Sequence, residues 1–313
     1  MLDKANAAKF QDPDRTLDGS TRARVHLKSL ETLWFNTGTL CNIECARCYI
    51  LSSPTNDALV YLTLDDVTCY LDEIRDRQLA THEIAFTGGE PFMNPQIIEM
   101  IEVSLDRGFE VLVLTNAMKP MMRPSMQAGL ERLVKSHGDR LTLRVSLDHH
   151  SAEHHDEERG KGSFTISLNG MRWLRDLGAQ MTVAGRTLWD EDEDISRAGF
   201  ADLFLREGFD IDAAHPGKLV LFPEMDENAE VPEITTDCWG VLGKSPADVM
   251  CSNARMVVRR RKAERPAVLA CTLLAYDDRF ELGDTLAEAE QPVSLNHAHC
   301  AKFCVLGGAR CSV

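Results

Sequence analysis

Leu33-Trp34-Phe35-Asn36-Thr37-Gly38-Thr39-Leu40-Cys41-Asn42-Ile43-Glu44-Cys45-Ala46-Arg47-Cys48-Tyr49 runs from an apolar segment straight into three cysteines spaced four and three residues apart. The apolar Leu33-Trp34-Phe35 reads as a strand, and the polar remainder as the loop it delivers. One short loop of this kind can fold three thiolates around one face of an iron–sulfur cube, leaving one of the four irons without a protein ligand. That open iron is free to take a substrate or cofactor directly. A four-cysteine electron-transfer site, or a structural zinc site, closes every position.

The same order, an apolar strand and then a polar turn, recurs down the chain. Leu30–Asn36, Glu83–Phe86, Phe109–Leu114, Leu141–Leu147, Met181–Gly185 and Lys218–Phe222 read as strands. Helical spacing falls between them, at Leu64–Gln78, Pro95–Asp106, Gln127–Ser136, Ser163–Leu177 and Leu203–Phe209. In the first helix Leu64, Val67, Leu71 and Ile74 share a face, and Cys69 is expected to be a small buried residue. Ser163 is expected to cap its helix and Gly178 to end it, while the acidic run Asp190–Asp194 reads as a solvated helix start. Six strand–helix repeats describe an α/β chain with a partial (β/α)6 barrel like that of triosephosphate isomerase (TIM). In such a barrel chemistry sits at the C-terminal strand ends. Cys41–Cys48, Gly88–Glu90, Asn116, Asp148 and Arg186 all fall at such ends.

Two motifs carry a resemblance to a known family. Cys41-x3-Cys45-x2-Cys48 followed by Tyr49 resembles the cluster loop of the radical S-adenosylmethionine (SAM) enzymes, and Thr87-Gly88-Gly89-Glu90-Pro91 resembles that superfamily's second signature. Arg47 departs from the aromatic residue many members carry there, and Tyr49 is common in the branch with extra clusters. The resemblance implies a 4Fe–4S cluster on Cys41, Cys45 and Cys48, whose open iron is chelated by the amino and carboxylate groups of SAM. Reductive cleavage of SAM would then give a 5′-deoxyadenosyl radical that abstracts hydrogen from substrate. It further implies that Gly88, Gly89 and Glu90 lie at the methionine amino group. Ser146 and Asp148 match a strand that faces the SAM ribose and carboxylate. Arg159 is expected either at that carboxylate or in a loop salt bridge. Tyr49, Asn116 and Arg186 complete the candidate cofactor-binding set. Four histidines, His149, His150, His154 and His155, invite a zinc reading. The resembling enzymes carry a similar His-Asp…Arg-Gly-x-Gly-Ser-Phe passage without a metal, which weighs against it.

Six of the ten cysteines lie between Cys238 and Cys311. Val249-Met-Cys251 leads into Arg255–Arg259, and Ala267-Val-Leu-Ala leads into Cys271, a pattern for a hairpin with one cysteine at each open end. Phe280–Glu288 is expected to start a short helix, and His299-Cys300-Ala-Lys-Phe-Cys304 follows, with Cys311 close behind. This tail resembles the SPASM or twitch region of the same superfamily, which holds auxiliary 4Fe–4S clusters. Two full clusters need about eight thiolates, so six cysteines point to one. The candidate ligands are Cys251, Cys271, Cys300 and Cys304, with Cys311 competing for a place and Cys238 a weaker competitor. Zinc is the alternative occupant. The chain is thus divided into an N-terminal extension (1–28), a radical SAM partial barrel (29–230) and an auxiliary-cluster domain (231–313).

With 44% hydrophobic and 27% charged residues, the composition is that of a globular protein. A net charge of −15 opposes nucleic-acid binding. No apolar run approaches the roughly 20 residues of a membrane span, and the start lacks a signal-peptide core. A cytoplasmic location is the expectation. The basic run Arg259–Lys262 reads as a solvated hairpin tip or as a docking patch for an external acidic electron donor such as a flavodoxin or ferredoxin.

The expected reaction is oxidation or crosslinking of a small metabolite or peptide, with the auxiliary cluster as electron acceptor or substrate ligand. Radical methyl transfer or rearrangement with a structural second cluster is the alternative within the enzyme class. A non-catalytic iron–sulfur or zinc carrier is the alternative outside it, and it would not need Gly88-Gly89-Glu90-Pro91. Only about 28 residues precede the first strand, too few for a leader-peptide-binding domain. The expectation therefore leans to a small molecule, or to a peptide delivered by a separate protein.

Overall fold

A computed structural model describes residues 9–224 and 230–308 of the chain. A short strand, β1 (Arg24–Val25), precedes six strands that lie side by side in sequence order. These are β2 (Thr32–Asn36), β3 (Glu83–Thr87), β4 (Glu110–Thr115), β5 (Leu141–Ser146), β6 (Gln180–Thr187) and β7 (Leu219–Pro223). Each pairs parallel with the next. The crossover helices are α1 (Leu64–Asp76), α2 (Ile97–Asp106), α3 (Pro124–His137), the pair α4 (Ala152–Arg159) and α5 (Ser163–Leu177), and α6 (Glu193–Glu207). Six successive parallel strands with helical crossovers make the expected partial barrel.

The sheet continues on the other side of β2. There β8 (Ala254–Val258) pairs parallel with β2, from Thr32 opposite Ala254 to Phe35 opposite Val257. Antiparallel β9 (Ala267–Leu269) and β10 (Glu281–Gly283) extend the edge. The cysteine-bearing hairpin is therefore built onto the barrel's own sheet. A final strand, β11 (Val293–Ser294), pairs with β1. Arg22, nearly fully buried, ties this corner together by pairing with Glu233 and donating to the carbonyls of Asp12, Arg15 and Leu295. The segment from residue 9 is thus partly inside the fold.

Burial on both sides explains the apolar run of β2, since a parallel strand has no solvent face. Phe35 stacks on Phe86 of β3 with ring centroids 5.7 Å apart, while Trp34, on the opposite face, lines the barrel interior. In α1 the buried residues are Val67, Tyr70, Leu71 and Ile74, and a Thr63–Asp66 capping box starts the helix.

Three expectations are corrected. Cys69 is exposed. It stands two residues after Val67 and one before Tyr70, which turns it to the far side of α1. Ser163 is the first residue of α5, and Gly162 occupies the cap position. The capping acceptor is Asp156 of α4, whose carboxylate takes the Gly162 and Phe164 N–H groups and the Ser163 hydroxyl. Phe280–Gly283 is not helical. Phe280 closes a 3-10 turn and Glu281–Gly283 pairs with β9, whose open edge offers backbone partners that the local sequence does not reveal. In the basic run, Arg259 grips both oxygens of Asp66, Arg260 pairs with Glu281, and Arg261 pairs with Asp57. Three of its four cations are therefore engaged within the chain.

Candidate active site

Loops from the C-terminal ends of β2 to β6 meet at one cavity with about 1060 Å³ of empty space, open solvent included. Its walls carry Cys41, Cys45, Cys48 and Tyr49 after β2, Gly88 and Gly89 after β3, and Asn116 after β4. Ser146 and Asp148 at the end of β5, Arg159 of α4 and Arg186 of β6 complete the polar side. Trp34, Leu114, Ala184, Phe222 and Leu273 form an apolar side that the sequence reading missed. For the first four the only signal was their place in strands already assigned, and Leu273, beyond β9, had none.

The two glycines bring the loop after β3 directly against the cysteine loop. A Cβ on Gly89 would lie 2.2 Å from the Leu40 carbonyl oxygen, and one on Gly88 2.5 Å from that of Gly38. The Gly89 N–H donates to Gly38 O at 2.8 Å and the Glu90 N–H to Leu40 O at 3.1 Å. Close backbone approach is thus the reason for glycine here. Glu90 does not line the cavity. Its carboxylate accepts from the Thr115 hydroxyl at 2.8 Å, the Asn116 N–H at 2.8 Å and the Phe92 N–H at 3.2 Å. Burial pushes Glu90 up to about 7, against the pull of these donors. Asn116, fixed by this bond, donates through Nδ2 to Asn42 Oδ1 at 2.9 Å, with Cys41 Sγ at 3.9 Å.

A charged network lies beside the cysteines. Arg159 holds Asp148 bidentately, with Nε to Oδ2 at 2.7 Å and Nη2 to Oδ1 at 2.9 Å. Arg186 Nε stands 3.6 Å from Asp148 and Nη2 donates to the Arg47 carbonyl. Burial works to raise Asp148, yet Arg159 and Arg186 together hold it below the ordinary carboxylate value. Glu158, which sequence reasoning missed, is buried under the cysteine loop: it pairs with Arg47, and its backbone oxygen takes the Ala46 N–H. Arg47, the departure noted in the motif, was the available hint. Arg47 also stands 3.7 Å from Glu224, so three arginines face three carboxylates, but Arg159 and Arg186 lie near enough to Cys45 to favour its thiolate and a carboxylate ligand beside it. Burial raises Cys41 to about 12, and a metal takes the thiolate form.

The histidine passage folds tightly. His155 Nδ1 takes the Asp148 N–H, His154 stacks on Trp189, and burial lowers His149 and His155 to about 4, so both are neutral.

A second, smaller cavity is lined by Cys251, Cys271, Cys300 and Cys304. Cys251 precedes β8 and Cys271 follows β9, at the open ends of the hairpin, and the other two lie on the π-helical segment Cys300–Leu306. Burial raises Cys251 to about 11 and pushes Cys300 well up too. Cys238 does not line this cavity and accepts from Thr235 instead. Cys311 lies outside the described residues. Thr272 and Leu273 line the first cavity, while Cys271 and Leu273 line the second, so residues 271–273 are a common wall.

The donors fit the groups the motifs imply. Among the described residues the main cavity presents three cysteines, one short of a closed four-thiolate site, and the second presents four. Among the described residues no helix is long and apolar enough to cross a membrane.

The model of the Radical SAM superfamily matches residues 35–202. The antilisterial bacteriocin subtilosin biosynthesis protein AlbA of Bacillus subtilis is 34% identical over 155 residues, covering 48% of this chain and 32% of AlbA. An AdoMet-dependent heme synthase of Methanosarcina barkeri is 31% identical over 136 residues, covering 43% of this chain and 36% of the synthase. The chain spans about a third of the length of these relatives. In fold it is similar to Streptococcus suis SuiB bound to precursor peptide SuiA, with a TM-score of 0.60 at 11% identity, covering 85% of this chain and 66% of SuiB.

Proposed function

The chain belongs to the radical SAM superfamily, and from that premise we propose that it is an oxidoreductase or maturase acting on a peptide. In this reading Cys41, Cys45 and Cys48 hold the SAM-binding 4Fe–4S cluster, and Cys251, Cys271, Cys300 and Cys304 hold an auxiliary one, in the region 231–313. Bound cluster and SAM would supply a carbon-centred radical able to take a hydrogen atom from substrate. The chain's own residues do the rest. Gly88 and Gly89 let two loops close on each other, Asn116 and Ser146 offer hydrogen-bonding groups, and the Asp148–Arg159 pair with Arg186 sets the charge at the cofactor's polar end. The apolar side around Trp34, Leu114 and Phe222 excludes water.

The common wall at residues 271–273 carries the reading. A substrate in the main cavity would lie one layer of side chains from the second cysteine group, the placement an electron acceptor needs. This favours a net two-electron oxidation or crosslink over methyl transfer with a purely structural cluster. The peptide class draws on the names of AlbA and of the SuiB complex, while the heme synthase is a small-molecule counterpart. It also draws on an outer groove that shares Cys48, Tyr49 and Leu273 with the main cavity and mixes charged and apolar residues, among them Arg47, Glu224 and Tyr276. An external reductant such as a flavodoxin or ferredoxin would supply electrons.

The test is iron and sulfide content, with SAM cleavage, in anaerobically reconstituted protein and in a Cys41/Cys45/Cys48→Ala triple variant. About eight irons falling to about four, with cleavage lost, is expected. Four irons falling to none would remove the auxiliary cluster from the mechanism.

A further inference from the structure

Two imidazoles and one carboxylate outside the cysteine cavities converge where the proposed chemistry has no use for them. His149 and His150 follow β5, and Glu191 lies in the loop between β6 and α6. His149 Nε2 stands 3.3 Å and His150 Nε2 3.6 Å from the same oxygen, Glu191 Oε2. One ligand atom from each residue lies within 4.8 Å of the other two. These separations are long for charge-assisted hydrogen bonds, which close to about 2.7–2.9 Å. The first matches an edge of a tetrahedral shell, because metal–nitrogen and metal–oxygen bonds of about 2.0–2.1 Å set neighbouring ligands about 3.3–3.4 Å apart, and the second is slightly longer.

Supporting contacts are already in place. Ser151 Oγ lies 2.8 Å from His149 Nδ1, an acceptor for the tautomer that frees the Nε2 lone pair. The Ser196 hydroxyl donates to the Glu191 carboxylate. Trp189 packs edge-on against His149 and Phe200 against His150. The His149 side chain is 3% exposed and His150 Nε2 is buried without a hydrogen-bond partner among the described residues, whereas the Glu191 side chain is 22% exposed. In the free chain the Ser151 N–H also reaches His149 Nδ1, at 3.0 Å. Binding a cation would therefore move the ring proton from Nε2 to Nδ1 and exchange that amide contact for the hydroxyl. The passage whose counterpart in resembling enzymes lacks a metal begins at His155. His149 and His150 lie outside it.

We propose that His149, His150 and Glu191 form a divalent-cation site suited to Zn²⁺, with water as fourth ligand. It would clamp the loop after β5 to the loop after β6, next to Asp148. Two imidazoles, one carboxylate and an open position are a set zinc accepts, and it owes nothing to the thiols. The inference does not depend on the radical reading.

Zinc content and the zinc X-ray absorption edge are measured on the full, anaerobically iron-loaded chain after chelator washing and titration with Zn²⁺. His150→Ala and Glu191→Gln are the variants. One zinc per chain is expected, with a nitrogen/oxygen shell at about 2.0–2.1 Å and no sulfur shell near 2.3 Å. Each variant should bind zinc at least about tenfold more weakly, with iron content and circular dichroism unchanged. A sulfur shell, wild-type affinity in both variants, or no zinc held by the wild type at micromolar free metal would overturn the site. If a variant loses iron or its fold, the wild-type absorption edge and the other variant still decide.

Discussion

Asp148 and Arg159 face each other as buried opposite charges, joined by two short hydrogen bonds at 2.7 and 2.9 Å. Replacing the carboxylate by its amide leaves a buried guanidinium without its counter-charge, so Asp148→Asn should destabilise the chain by about 3–5 kcal/mol. The pH dependence has a definite sign. The folded carboxyl is held below its ordinary value of 3.8, so its contribution is full above that value and is lost as the pH falls through the folded one. Urea denaturation of wild type and variant should show a wide gap at pH 7 that narrows below pH 3.8. A constant gap would mean that Asp148 acts by shape alone. Glu90 poses a different case. Both its oxygens receive donors, from Thr115 and Phe92 on one side and Asn116 on the other. In Glu90→Gln one donor must face the amide NH₂, a loss of about 1–3 kcal/mol, read as a lower denaturation midpoint at unchanged slope. Both residues were legible in the sequence as polar groups at strand ends. Their partners were not, because spacing along a chain does not say which loops touch.

At Gly88 and Gly89 the loop after β3 meets the cysteine loop backbone to backbone, which makes the contact sensitive to a single methyl group. A Cβ on Gly89 would lie 2.2 Å from the Leu40 oxygen and 2.8 Å from that of Thr39. Gly89→Ala must push the loops apart, at a cost of about 1–3 kcal/mol. It should also weaken SAM binding in calorimetry, because the same shift moves Cys41. Retained affinity at lowered stability would confine the glycine to packing. At this scale the sequence was informative wherever a run was apolar on one or both faces. All six barrel strands and the amphipathic α1, α2, α3 and α5 appeared within a few residues of their bounds. It was silent on α4, where Ala152 to Arg159 buries only His155 and Glu158 and offers no apolar stripe. It misled at Phe280–Gly283, whose strand is set by the waiting edge of β9. The rotation that exposes Cys69 could have been drawn from the helical period that placed Val67, Leu71 and Ile74.

At the scale of the molecule, one nine-stranded sheet among the described residues carries the first cysteine group at the C-terminal end of β2, and Cys251 and Cys271 of the second around the hairpin added beyond it. Because β8 pairs directly with β2, sheet hydrogen bonds fix the hairpin that carries Cys251 and Cys271 relative to the first group. Electron transfer between them would keep its geometry through substrate binding. That rigidity makes the two groups separable by mutation. Cys271 and Cys300 line only the second cavity, and their loss leaves the Gly88–Gly89 contact and the Asp148–Arg159 pair untouched. The double variant Cys271/Cys300→Ala should therefore fall from about eight irons to about four. It should still bind SAM and cleave it with dithionite, while losing the oxidised product when substrate is present. Product formed at the wild-type rate with four irons would leave the second cluster a structural role. Loss of cleavage as well would mean that the added hairpin supports the position of β2, and melting curves of the variant would show it as a lowered midpoint.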